Sequence, residues 1–152
     1  MEKINSLTGM TDLIETKADE NVLANKVFQT EKILKEIFTN YAMSEIRTPA
    51  LENTNLFKRS VGDTSDIVNK ELYTFSDKND KSITLRPEGT ASVMRSIIEK
   101  KLDGETHKLW YLGPMWRYER PQKGRYRQFN QAGIEILGYP EGAPEFEMIS
   151  LI

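Results

Sequence analysis

The chain has 152 residues, 29% of them charged and 38% hydrophobic, with a formal net charge of −2. That length suits one globular domain, the composition excludes a disordered chain, and the near-balanced charge excludes a molecule that binds polyanions over its whole surface. No cysteine is present, which removes disulfides, thiol nucleophiles and thiolate metal sites; no apolar run nears the roughly 20 residues of a membrane span, and Met1, Glu2 and Lys3 do not open a secretory signal, so a soluble, cytoplasmic protein is expected.

After an opening segment at 4–13, Leu23, Val27, Thr30, Leu34, Ile37, Phe38 and Tyr41 recur mostly at three- and four-residue steps. That spacing predicts an amphipathic helix over 19–41. An extended segment over 44–51 follows. Pro49 interrupts it and cannot donate to a ladder, so the segment lies at a sheet edge or bends there. A short helix is expected over 55–61 and a loop over 62–69. Residues 72–75 and 82–85 are β-prone and flank turn formers at 76–80, which predicts a hairpin. Helical spacing returns over 89–102, with Ala91, Met94, Ile97, Ile98 and Leu102 on one side and Gly104 as the stop. Two long β-like runs, 109–120 and 127–138, are joined by a polar, basic stretch at 121–126 and predict a longer hairpin. From Ala143 another helix begins, with Phe146, Ile149 and Leu151 expected toward a core. It stops at Ile152 without a cap, which reads as a chain cut short. Grouped hairpins beside helices indicate an α+β domain with an antiparallel sheet, not βαβ units.

The chemistry concentrates in the longer hairpin. Arg117, Arg120, Lys123, Arg125 and Arg127 stand there against one acid, Glu119. A solvated hairpin tip and an anion site both fit that run. With the hairpin centred on Gly124, Arg117 lies opposite Gln131 and Glu119 opposite Phe129. Alternation then gathers Arg117, Glu119, Phe129, Gln131, Gly133 and Glu135 on one face, and Trp116, Tyr118, Ile134 and Ile136 on the other. Arg117 and Glu119 can partly satisfy each other, but the remaining polar groups need partners when taken out of water. A site for a cation beside a phosphate supplies them, and a guanidinium suits the phosphate through its planar fork. The turn Thr84, Leu85, Arg86, Pro87, Glu88, Gly89, Thr90 sits where a strand gives way to a helix. Glu88 or Thr90 there reads as a helix cap, while Gly89 also permits a small ligand to approach. No Gly-rich phosphate loop or dinucleotide fingerprint occurs. The single histidine, His107, reads as a boundary residue with no second ligand to share a metal, and the methionines read as core filler.

The run LWYLGPMWRYERPQKGRYRQF over 109–129 resembles motif 2 of class II aminoacyl-tRNA synthetases. In detail, with Gln131, Gly133 and Glu135 after it, it resembles the version in the histidyl-tRNA synthetase family. The segment LRPEGT over 85–90 is similar to that family's amino-acid-binding turn. Gly9, Met10, Thr11, Asp12 and the helix leading into 44–49 are similar to its motif 1 region, so the resemblance covers essentially the whole chain. It implies a class II synthetase-like antiparallel sheet flanked by helices, with residues 1–152 as the amino-terminal portion of the catalytic domain. Motif 3 and the anticodon-binding domain would lie beyond, and full aminoacylation is not expected of this chain.

The resemblance also implies roles. Arg117 would bind the ATP α-phosphate as the catalytic cation, Arg125 the outer phosphates, Glu119 the adenine amino group, and Phe129 would stack on the adenine. Glu88, Thr90 and Gln131 would hold the α-ammonium of histidine, with Glu135 facing the imidazole. Arg120 and Gln122 would meet the acceptor end of tRNA(His). Mg²⁺ would bridge phosphates, and a homodimer would form through the motif 1 region. Tyr118 and Asn130 stand where the family often has histidine. A second reading is a regulatory synthetase paralogue partnering ATP phosphoribosyltransferase in histidine biosynthesis. Such paralogues tend to lose the motif 2 loop and ATP-binding residues, whereas Arg117, Glu119, Arg125 and Phe129 are all present, which ranks the ligase ahead. A non-catalytic nucleic-acid-binding module would not require Glu88, Gln131 and Glu135 together.

Overall fold

The computed structural model describes residues 3–15, 22–62, 67–120 and 122–151. In chain order these form α1 (Val22–Asn40), β1 (Ser44–Glu45), β2 (Leu51–Asn53), α2 (Thr54–Val61), a π-helical turn (Ile67–Glu71), β3 (Thr74–Ser76), β4 (Ser82–Leu85), α3 (Thr90–Glu99), β5 (His107–Trp116), β6 (Gln128–Leu137) and α4 (Ala143–Leu151). The strands make two sheets, one ordered β1-β5-β6 and one β2-β4-β3. All pairings are antiparallel except β1 with β5, which run parallel, a local departure from the antiparallel sheet expected.

The bend expected at Pro49 is where the chain changes sheets. Ile46 donates its amide to the Trp110 carbonyl at 2.9 Å, still beside β5, and by Ala50 the carbonyl accepts from Arg86 at 3.0 Å, beside β4. Proline sits in the crossing because no ladder bond is asked of it there. The β3–β4 hairpin closes around Asp77, whose carboxylate accepts from the amides of Asn79 at 2.7 Å and Lys81 at 2.9 Å.

Alternation along β5 and β6 builds two cores on opposite faces of one sheet. Trp110, with Leu112, Ile134 and Ile136, packs under Leu34, Ile37 and Phe38 of α1, and the Phe38 and Trp110 rings lie 5.1 Å apart. Tyr111 and Met115 face the other way, against Val93 and Ile97 of α3, with Leu109, Phe129 and Leu137 around them. The result is a helix–sheet–helix layering in which α3 covers the polar side. Buried Glu52 of β2 anchors that helix, accepting from Arg95 Nε at 3.1 Å and Nη2 at 2.7 Å.

Several element-level expectations are corrected. The first helix begins at Val22 among the described residues, with 19–21 outside them, and Leu23 and Thr30 are exposed while Ala24 fills the core. Of the loop expected over 62–69, residues 63–66 lie outside the described set and 67–69 belong to the π-helical turn. Ile98 is 66% exposed, because Val93 and Ile97 take the inner face of α3. Phe146 and Ile149 point outward, at 74% and 75% exposure. A polar anchor sets the roll of α4: Lys108 bonds Glu147 at 2.6 Å, Tyr41 Oη donates to the Ser150 carbonyl at 3.0 Å, and only Leu151 reaches the Phe38 core. The longer hairpin's strands span 107–116 and 128–137, shorter at the tip than expected.

Candidate functional site

The site is built on the β5–β6 hairpin, whose register differs from the one centred on Gly124. Gln131 lies opposite Gly113 and Phe129 opposite Met115, not opposite Arg117 and Glu119. Arg117 instead donates its amide to the Arg127 carbonyl at 2.9 Å. The tip is a tight turn around Lys123 and Gly124, with Arg125 donating to the Gln122 carbonyl at 2.9 Å and Gly124 at φ 82. The outgoing side leaves the ladder after Arg117. Tyr118 donates to the Glu71 carbonyl at 2.7 Å, and Glu119 folds back on the Arg117 carbonyl at 2.8 Å. Extra residues are absorbed there, so partners slip by four. An even slip exchanges partners without exchanging faces.

Arg117, Glu119, Arg125 and Phe129 line one cleft of about 610 Å³, together with Glu71 and Tyr126. Arg117 Nε donates to the Pro87 carbonyl at 2.9 Å, and its guanidinium carbon lies 5.1 Å from the centre of the Phe129 ring. Two elements therefore hold that guanidinium, and an aromatic face sits beside it for a planar ligand. Glu119 pairs with Arg125 at 3.5 Å, not with Arg117. Arg125 is the more exposed partner, 64% against 20% for Glu119. Glu71 was not singled out in the sequence because it stands in a stretch without periodicity, and the π-helical turn brings it to the cleft.

A second cluster meets the N-terminus of α3. Glu88 accepts from the amides of Thr90 at 2.6 Å and Ala91 at 3.0 Å, the capping role open to it from sequence. Gln131 Oε1 accepts from the Gly89 amide at 3.1 Å, and Thr90 Oγ1 donates to Glu135 at 2.7 Å. The three residues expected around the α-ammonium, Glu88, Thr90 and Gln131, and Glu135, expected to face the imidazole, are thus joined by direct bonds through the Glu88–Thr90 turn. Tyr111 completes the cluster and was missed. Its ring lies between Gly89 and Gly133, and a Cβ at either would fall within the ring. Gly133 pairs directly with Tyr111 across the ladder, a small residue facing a large one, but only in the observed register, so the pairing could not be read from sequence. Burial pushes the Tyr111 phenol up, the Thr90 hydrogen bond opposes it, and the charges of Glu135 and Glu88 add to it. Burial likewise raises the Glu135 carboxyl, against the Thr90 hydrogen bond and with the Glu88 charge. Two carboxylates, a hydroxyl, an amide oxygen and a phenol converge, a set that accepts hydrogen bonds from a small cation.

Arg120 and Gln122 are exposed at the hairpin tip, outside both clusters. Tyr118 lies under the Arg127 guanidinium, 4.0 Å from its ring centre, and edge-on to Tyr73 at 5.5 Å. Asn130 donates to Glu31 of α1 at 2.8 Å. Both side chains at positions where histidine is common in the family thus make their contacts away from the Glu88–Glu135 cluster. His107 bonds the Leu102 carbonyl at 2.8 Å, at the start of β5. Arg86 donates to the carbonyls of Pro114 at 3.1 Å and Thr48 at 2.7 Å, tying the 86–90 turn to β5 and to the crossing between the sheets. Among the described residues no group of three or more His, Asp or Glu side chains is assembled for a metal ion, and no helix is long and apolar enough to cross a membrane.

A family model described as Histidyl-tRNA synthetase matches residues 20–152. A histidine–tRNA ligase of Desulfitobacterium hafniense is 56% identical over 124 residues, which is 80% of this chain and 29% of that protein. One of Staphylococcus aureus (strain JH9) is 55% identical over 125 residues, 80% of this chain and 30% of that protein. The chain therefore spans less than a third of the length of these relatives. Among solved structures, apo S. aureus histidyl-tRNA synthetase is similar with a TM-score of 0.76 and 40% identity, over 98% of this chain and 33% of that one. An ATP phosphoribosyltransferase regulatory subunit/histidyl-tRNA synthetase from Bacillus halodurans C is similar with a TM-score of 0.70, over 99% of this chain and 37% of that one. Its 23% identity makes that a likeness of fold.

Proposed function

Since the chain belongs to the histidyl-tRNA synthetase family, we propose that it carries the amino-terminal portion of a class II catalytic domain, including the part of a histidine–tRNA ligase that activates histidine with ATP. One observation carries the reading: a cationic, aromatic cleft and an acceptor-rich cluster lie on the same face of one hairpin, joined where Arg117 bonds the carbonyl of Pro87, next to Glu88. The alternative of a regulatory paralogue has only a likeness of fold behind it.

In this reading Phe129 stacks on the adenine and Glu119 accepts from its amino group, while Arg125 swings from Glu119 to the outer phosphates. Glu88, Thr90 and Gln131 take the α-ammonium of histidine, and Glu135 takes the imidazole. A carboxylate oxygen of histidine then attacks the α-phosphorus, the bond to pyrophosphate breaks in line, and histidyl-adenylate forms. Arg117 sits between the two ligands and stabilises the charge that grows on the α-phosphate oxygens; the chemistry is positioning and electrostatics more than proton transfer. A magnesium ion bound with the nucleotide would supply charge neutralisation at its phosphates, and Glu71, a hard oxygen donor at the cleft, would help hold it. A pocket that hydrogen-bonds its substrate rejects analogues lacking those groups, which gives selection for histidine. In the whole enzyme, Arg120 and Gln122 would meet the acceptor end of tRNA(His), a homodimer would form through the motif 1 region around α1 and β1, and the work would be cytoplasmic.

The test is histidine-dependent ATP–pyrophosphate exchange by the purified chain, with nucleotide binding measured in parallel. Arg117→Ala is expected to lower exchange by about a hundredfold or more, the typical loss for one charge-stabilising donor. Unchanged nucleotide affinity and exchange in that variant would remove Arg117 from the role.

A further inference from the structure

The opening segment makes contacts that the proposed chemistry does not use. A turn over 7–10, closed by the Met10 amide on the Leu7 carbonyl at 3.0 Å, docks at the tip end of the β5–β6 ladder, the root of the hairpin's connecting loop. There the Gly9 carbonyl accepts from two successive amides, Arg127 at 2.7 Å and Gln128 at 3.2 Å. Successive amides of a regular strand point to opposite edges, so one oxygen serving both marks a bent backbone that is held in its bend. The carbonyl of Arg127 is engaged from the other side by the Arg117 amide at 2.9 Å. Its side chain runs beneath Gly9, carries its guanidinium 4.0 Å over Tyr118, and donates Nε to the Glu119 carbonyl at 3.2 Å. Arg127 is thus fixed by Gly9 on one side and fixes the 117–119 backbone on the other. That backbone bears Arg117 and Glu119, two of the residues lining the cleft.

We infer that the 7–10 turn is a positioning clasp for the nucleotide cleft, with Gly9 as its positioning residue and Arg127 as the link. The inference rests on the nucleotide reading of the cleft given above. Gly9 acts through Arg127, whose side-chain carbons are the atoms nearest to it. Only glycine serves there. Its φ of +81 lies in the left-handed region, and an added Cβ would meet Arg127 Cγ at 2.8 Å. The turn is not a core element, since its own Leu7 is 70% exposed and Ile4 ahead of it 96%. Its contribution is therefore local to the hairpin root.

Two variants of the full chain test this, Gly9→Ala and deletion of residues 1–10. Hydrogen exchange is followed at the hairpin root and in α1 and α3, and Mg·ATP and histidine affinities are measured separately. The expected result is faster exchange at Arg127 and Gln128, unchanged exchange in α1 and α3, and about tenfold weaker Mg·ATP binding with histidine binding kept, as loss of one or two hydrogen bonds implies. Unchanged exchange at Arg127 and Gln128 in both variants would overturn the clasp. So would equal weakening of both ligands with faster exchange throughout α1 and α3, which is the signature of general destabilisation. A wild-type chain that binds no Mg·ATP would sink the nucleotide reading alone, and the exchange comparison would still decide whether Gly9 holds the hairpin root.

Discussion

Gly133 and Gly89 leave room on either side for the ring of Tyr111, and neither can accept a methyl without moving that ring. Gly133→Ala is expected to destabilise the fold by about 1–3 kcal/mol through overpacking, read as a lower urea midpoint, and to weaken histidine binding. A neutral midpoint would show that the ring moves freely. Glu135 offers a test in pH. Its carboxyl is held above the ordinary 4.5 by burial, against the Thr90 bond and with the Glu88 charge. The folded state therefore keeps a proton that the unfolded chain has already released. Stability is fully present below the ordinary value and declines as pH rises through the raised one. Glu135→Gln removes that slope while Oε1 can still accept from Thr90. The variant should gain on wild type between about pH 4 and about pH 7, by less than about 1 kcal/mol after solvent screening, while losing histidine affinity. Equal differences in urea midpoint at the two pH values would refute it. At this scale, the residues legible in the sequence were those with chemistry of their own, such as Arg117, Glu88 and Glu135. Tyr111 escaped, and Gly9 was named only within the motif 1 resemblance, because what matters about them is the shape of their neighbours.

Strand parity explains which parts of the hairpin could be read ahead. Within the paired stretch the two faces survived a four-residue error in register because the side-chain period is two, while Tyr118 and Glu119 left the ladder. The register itself was out of reach, since nothing in the spacing reveals that the Tyr118 amide leaves its partner strand for Glu71. Helix α4 was misjudged for a related reason. Its apolar residues suggest an inner face, but Lys108–Glu147 sets the roll and turns Phe146 outward. Arg86 shows the same logic between sheets. Its Nε and Nη1 tie the end of β4 to Pro114 in β5 and to Thr48 in the crossing. Arg86→Lys keeps the charge but loses the fork, and is expected to lower stability by about 2 kcal/mol, measurable as a drop in Tm. Because the next two residues are Pro87 and Glu88, both ligands should bind more weakly in that variant.

Across the whole molecule the charge nearly cancels, at −2, yet its cations crowd the hairpin tip. Arg125, 64% exposed, lies where salt screens well, whereas Glu135 works from a half-buried cluster. Raising salt from about 0.1 M to about 1 M shortens the screening length from about 10 Å to about 3 Å, so Mg·ATP affinity should fall several-fold and histidine affinity less. Arg125→Ala should flatten the Mg·ATP dependence, and an unchanged slope would remove that residue from phosphate binding. The contact between Gly9 and Arg127 has one more consequence, for the order in which the molecule assembles. The β5–β6 pairing closes over a short stretch of chain and can form early, because short loops lose little entropy on closure. The Gly9 carbonyl must wait for partners more than a hundred residues away. On a chain synthesised from its amino terminus, the turn is made first and finds its amides last. The cleft lined by Arg117 and Phe129 would then be completed only when the 7–10 turn reaches Arg127 and Gln128, after the hairpin itself has paired.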